Sequence, residues 1–157
     1  MTEVRFYHLT RQTAAQALPD LLEKTLARGW RAVVKLPDNA MVEEMSAHLW
    51  NYRPESFLPH GTAKDGNEAE QPVWLTSSSE NPNGATVLFL INSTSAASDS
   101  ENAAPLDSFT LICDVFDGND TALTDGARER WASYKTQGHA LTYWQQSETG
   151  WQKKGSE

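Results

Sequence analysis

The feature that most constrains this chain is the run Thr86-Val87-Leu88-Phe89-Leu90-Ile91, six residues without a charge. A strand with one face in water alternates apolar and polar residues, so an unbroken apolar run implies a strand covered on both faces. Residues 109–116 read as a second buried strand. Upstream, residues 4–9 mix aromatic and branched side chains as a first strand, and residues 31–36 form another. Between them Ala14, Leu18, Leu21, Leu22 and Leu26 recur at helical spacing, with Gly29 as the stop. Pro19 interrupts that spacing and points to a regular helix starting at or near it, where the missing N–H costs little.

Asp38 is the expected N-cap of a second helix, which carries the stripe Val42, Met45 and Leu49 and ends at Trp50. Pro72-Val73-Trp74-Leu75 reads as a short strand with Pro72 at an edge or entry position, and Asn81-Pro82-Asn83-Gly84 as a turn. Residues 62–71 and 92–108 are polar, the first expected as a mobile stretch and the second as a surface loop. Residues 123–137 form a helix closed by Gly138, and residues 139–145 a last strand. Strand and helix alternate early and three buried strands follow. That order predicts one α/β domain over residues 1–146, a mainly parallel sheet with helices on both faces. Residues 147–157 are expected as a polar, frayed tail.

With 157 residues, 39% of them hydrophobic, the chain can bury one core. Its net charge of −8 repels polyanions, so strong direct binding of nucleic acid is not expected. No apolar stretch is long enough to span a bilayer, and residues 1–9 lack the pattern of a signal peptide, which places the protein in the cytoplasm. Cys113 is the single cysteine, so neither an internal disulfide nor a cysteine metal knuckle can form.

A phosphate cradle needs clustered glycines at a strand-to-helix turn. After the first strand the chain reads Thr10-Arg11-Gln12-Thr13, and neither GxxxxGK[ST] nor GxGxxG occurs. There is no GxSxG elbow, and Ser77-Ser78-Ser79 lies in a polar turn. Cys113 reads as a core cysteine in mid-strand. Asp117-Gly118-Asn119-Asp120 lacks the spacing of a calcium loop and reads as a helix-entry turn. His8, His48, His60 and His139 show no ligand spacing. No catalytic residue, metal or cofactor is expected.

Two patches stand out. Trp50, Tyr52 and Phe57 gather around a helix end and a proline-bounded loop with Arg53 and Pro54, a composition suited to a protein interface. The alternative is that Trp50 and Phe57 plug the base of the sheet. An interface role predicts that Phe57→Ala releases a partner and spares the fold; a core role predicts a loss of about 3–5 kcal/mol. The second patch lies on the helix over residues 123–137. At about 100° per residue, Arg128, Trp131 and Lys135 share one side and Arg130 points nearly the opposite way. That side suits a carboxylate-bearing peptide, with Ala127, Trp131 and Tyr134 able to pack inward. The alternative is an amphipathic helix with solvated charges and Trp131 in the core.

Arg5-Phe6-Tyr7, the block Leu49-Trp50 … Glu55-Ser56-Phe57-Leu58-Pro59-His60-Gly61, and the block Ala127-Arg128-Glu129-Arg130-Trp131 … Tyr134-Lys135 … Gly138 together resemble the chi subunit of bacterial DNA polymerase III. The resemblance implies a Rossmann-like sheet without a phosphate-binding loop, in a non-catalytic part of the clamp-loader assembly. It implies that the protein bridges the psi subunit to the acidic C-terminal tail of single-stranded-DNA-binding protein. Carried onto this chain, the tail would meet Arg128, Trp131, Tyr134 and Lys135. Psi, or a helicase partner, would meet the region of Trp50, Arg53, Pro54 and Phe57. Thr124 and Ala132 stand where the family extends its cationic face. The rival readings are a degenerate nucleotide-dependent hydrolase, which nucleotide would stabilise against melting, and an unrelated peptide-binding module that uses only the Arg128 side.

Overall fold

The computed structural model describes residues 2–51, 60–77, 80–92, 109–148 and 150–156. Among them are seven strands: β1 (Glu3–Leu9), β2 (Ala32–Lys35), β3 (Val73–Thr76), β4 (Val87–Ile91), β5 (Leu111–Asp117), β6 (Ala140–Ser147) and β7 (Gly150–Ser156). The helices are α1 (Ala14–Ala27), α2 (Asn39–Asn51) and α3 (Thr121–Thr136), with a 3₁₀ turn at Glu68–Glu70. The strands form one sheet in the order β3-β2-β4-β5-β1-β6-β7, parallel throughout except for the antiparallel pair β6–β7.

β4 is buried along its whole length, as its apolar run requires. Because side chains alternate across a strand, Val34, Phe89, Cys113 and Val115 point to one side of the sheet, where Leu18 and Leu22 of α1 and Val42, Met45 and Leu49 of α2 cover them. Val4, Phe6, Leu88, Ile112 and Phe116 point to the other, with Ala127 and Tyr134 of α3. The expected α/β sheet with helices on both faces is what forms. Cys113 sits in its interior, where burial pushes the thiol up to about 12, a core position and not that of a nucleophile.

Three expectations are corrected. The first helix begins at Ala14, not at Pro19. Thr13 and Gln16 form a reciprocal capping box, Gln16 N donating to Thr13 Oγ1 at 3.3 Å and Thr13 N to Gln16 Oε1 at 2.9 Å. That cap, with Ala14, Ala17, Leu18 and Pro19 itself buried, outweighs the one helical hydrogen bond that the proline removes. Residues 62–71 are built into the fold: Thr62 N donates to Asp65 Oδ2 at 2.9 Å, and Gly61 bridges Trp74 of β3. Asn83 Nδ2 ties the segment to β2 by donating to both Gln71 O and Ala32 O.

The third correction concerns the C-terminal residues. Residues 150–156 are not a frayed tail but strand β7, turned back on β6 with Ser147 opposite Gly150. Trp151 anchors it with an edge-on contact to Tyr7 at 5.0 Å. A sequence of one tryptophan among Gln152, Lys153 and Lys154 looks unstructured, yet charged lysines are how an edge strand keeps other strands away.

Candidate functional site

In open parallel sheets, ligands enter at the carboxyl ends of strands whose connections leave over opposite faces. Here that place is between β1, which feeds α1, and β5, which feeds α3 on the other side. It is closed. Gly118 N donates to Leu9 O at 2.7 Å, and a Cβ on Gly118 would lie 1.9 Å from His8 Nε2 and 2.6 Å from Leu9 O, so the two strand ends touch through backbone. Beside it, the N–H groups of Thr10, Arg11 and Gln12 converge on Gln146 Oε1 at 3.3, 2.9 and 3.1 Å. Successive amides pointing at one centre are what phosphate-binding turns offer an anion. In this chain a side-chain carbonyl from β6 takes that place, and Gln146 Nε2 closes the arrangement by donating to Gln12 Oε1 at 2.7 Å. Gln146→Ala is expected to lower stability by about 1 kcal/mol, because water can reach the released amides; urea denaturation checks this.

The helix α3 carries the second patch. Asp117 Oδ1 accepts from Asn119 N at 2.9 Å, and Asp120 caps the helix by accepting from Ala122 N and Leu123 N, so this turn is a helix entry. Thr124 is engaged there too, donating to Asp120 O at 3.1 Å. Arg128 lies on the outer side with its side chain 77% exposed, and its 3.9 Å contact to Asp125 is a loose surface pair. Lys135, one turn beyond Trp131, is also exposed.

Trp131 is half-buried between these cations and the sheet. Its ring meets Phe6 edge-on at 5.3 Å and Tyr143 at 5.9 Å, while Tyr143 stacks on Phe6 at 6.2 Å. His8 continues the group, its Nδ1 2.6 Å from the Tyr143 hydroxyl. Burial holds the His8 imidazole below its ordinary value, and the nearby Arg128 charge pushes the same way, so the ring favours its neutral form. Tyr134 is 2% exposed and packs edge-on against Phe6 at 6.0 Å rather than standing in the open. Arg128, Trp131, Tyr143 and His8 thus meet where α3 crosses β1 and β6.

Arg130 points away from Arg128, as its helical angle requires, but into the protein and not into water. It forms a two-pronged pair with Asp114 of β5, Nε donating to Oδ2 at 2.6 Å and Nη2 to Oδ1 at 2.9 Å, at 5% and 0% exposure. Burial pushes the Asp114 carboxyl above its usual range and the guanidinium opposes that shift. The expected angular separation from Arg128 holds, and Arg130 is spent on a buried partner.

Trp50, at the end of α2, is 49% exposed, and its ring lies 4.6 Å from that of His60. His60 is buried, 3.3 Å through Nε2 from Ser46 Oγ. Arg53, Pro54 and Phe57 lie outside the described residues. The fold does not bring the two patches together: α2 covers the face opposite α3 and packs beside β3, at the far end of the sheet from β6.

Comparison with known proteins decides the family. The profile of the family described as DNA polymerase III chi subunit, HolC, matches residues 1–142. The chain belongs to the DNA polymerase III chi subunit family. It is 32% identical over 97 residues to the probable DNA polymerase III subunit chi of Rickettsia prowazekii (strain Madrid E), covering 62% of this chain and 59% of that protein. It is 28% identical over 144 residues to the DNA polymerase III subunit chi of Pseudomonas aeruginosa PAO1, covering 90% and 94%. The family is one of DNA replication, and the resemblance seen in the sequence blocks is confirmed. The family match ends inside β6, so β7 lies beyond it. Among the described residues no helix is long and apolar enough to cross a membrane.

Tyr143 and His8 were missed by reasoning from sequence. Period-two alternation puts His8 on the side of Phe6, but only the register Phe6 opposite Tyr143 brings the tyrosine next to both.

Proposed function

We propose that the protein is a non-catalytic accessory subunit of DNA polymerase III that joins two partners through separate surfaces. The α3 face receives the acidic C-terminal tail of single-stranded-DNA-binding protein, with Arg128 taking the terminal carboxylate, Trp131 forming an apolar wall and Lys135 extending the positive side. Tyr134 acts from within, packing against Phe6, the ring that Trp131 also meets. The Trp50 end, with Arg53, Pro54 and Phe57, receives psi or a helicase partner, and the protein works in the cytoplasm. The observation that carries the reading is the exposed Arg128 guanidinium beside a half-buried tryptophan fixed by Phe6 and Tyr143. The separation of α3 from α2 leaves room for both partners at once. A calorimetric titration with the tail peptide tests the first surface; a peptide that fails to bind the unmutated protein removes it.

The second surface has its own expected result. Trp50→Ala weakens capture of the clamp-loader or helicase partner about tenfold, or about 1.4 kcal/mol, and lowers the melting temperature only slightly because the ring is half exposed. Pull-down from native extract together with thermal melting measures both. A drop in melting temperature with unchanged capture would make Trp50 structural.

The hydrolase reading is disfavoured by the carbonyl seated in the amide nest of the first strand-to-helix turn. Purified protein is expected to show no ATP or dNTP turnover. Robust turnover abolished by a point mutation in this chain would reverse that conclusion.

A further inference from the structure

On the side of the sheet opposite α3, the last turns of α1 leave a pocket of about 80 Å³ against β1, β4 and β5. Arg5, Lys24 and Arg28 line it together with Leu21, Phe89 and Leu111. Three cations in one small pocket run against the charge of a chain with 13 basic and 21 acidic residues. Glu3 accepts from Arg5 Nε at 2.9 Å. Lys24 and Arg28 at the end of α1 suit the helix dipole and would by themselves mean little. Arg5 comes from a strand, however, and converges on the same space. The Arg28 guanidinium is also held in place, 5.1 Å above the centre of the Trp30 ring.

We propose that this pocket is a second ligand site, separate from the α3 face, for a carboxylate attached to a short apolar group. The arginine forks match a planar carboxylate, and the floor of Leu21, Phe89 and Leu111 takes the apolar part. Phosphate fits less well, since Leu21, Phe89 and Leu111 would lie against oxygens that need partners, whereas an alkyl group is at home there. The pocket is too small for a nucleotide. A free short-chain acid and the last residue of a peptide chain share the required chemistry.

The test uses the full ¹⁵N-labelled chain and follows the indole N–H of Trp30, assigned by its loss in Trp30→Phe. Hexanoate and the peptide Gly-Gly-Gly-Leu are titrated, with the amidated peptide and inorganic phosphate as controls. Saturable shifts with a free carboxylate and none with the amide are expected, with binding weakened at least tenfold in Arg28→Glu and Lys24→Glu and unchanged in Lys64→Ala. Both reversals are at exposed positions and leave the core intact. Hexanoate binding as tightly as the peptide identifies a free acid; peptide binding alone identifies a chain end. No saturable shift with either probe, equal shifts with phosphate, or binding indifferent to both reversals would overturn the proposal.

Discussion

Arg130→Ala is expected to lose about 3–5 kcal/mol of folding stability at neutral pH, although the residue lies on a helix rich in surface charge. The substitution does not merely delete a contact. It strands the Asp114 carboxylate, wholly buried, without the guanidinium that meets both its oxygens. Removing a partner from a buried pair is costly because the remaining charge keeps its desolvation penalty.

The pH dependence follows from the direction of the Asp114 shift. Burial raises its folded value above the unfolded one, so the folded state favours the protonated form. The penalty is complete above the folded value and is relieved as pH falls from there towards the ordinary carboxylate range. Without Arg130 the folded value rises further, so the stability gap between the variant and the parent protein should narrow on acidification. Replacing both partners by apolar residues of similar size, Asp114→Leu with Arg130→Met, should recover most of the loss. Urea denaturation across a pH series measures all three proteins. An Arg130→Ala variant as stable as the parent at neutral pH would mean that the pair is not formed.

This pair also marks where sequence reasoning stops. Helical angles correctly separate Arg130 from Arg128, but periodicity says only that two residues point apart, not which one meets water. The deciding fact is an aspartate in the interior of β5, and its partner becomes visible only when α3 is laid on that strand. What was legible depended on strong local signals: the apolar run of β4, the Asp38 cap, the helix-entry turn at residues 117–120, and the glycines after α1 and α3, Gly29 and Gly138, which adopt positive φ. What was not legible depended on pairing across distance. β7 has little apolar content of its own and exists because β6 presents an open edge. Tyr143 and His8 join the α3 patch through strand register, which no spacing within one segment encodes. The family blocks pointed to Arg128 and Trp131, and helical angles allowed Tyr134 to pack inward, where it is found.

Binding of the acidic tail should fall about thirtyfold in Arg128→Ala, a cost of roughly 2 kcal/mol. A terminal carboxylate that loses the guanidinium retains only the apolar contact with Trp131 and the more distant charge of Lys135. Stability should barely change, because Arg128 is largely exposed and its pair with Asp125 is loose. Arg130→Ala is unsuitable as the charge-matched control, since it removes a buried partner and disturbs the whole helix. Lys153→Ala, exposed on β7, removes the same charge without touching α3 or its supporting stack. Rising salt should weaken binding by the parent protein and affect the Arg128→Ala variant less, because the screened interaction is already missing there. Calorimetric titration of the three proteins at two salt concentrations separates the possibilities. Equal losses for Arg128→Ala and Lys153→Ala would mean that the tail responds to net charge alone, and the built site on α3 would have to be given up.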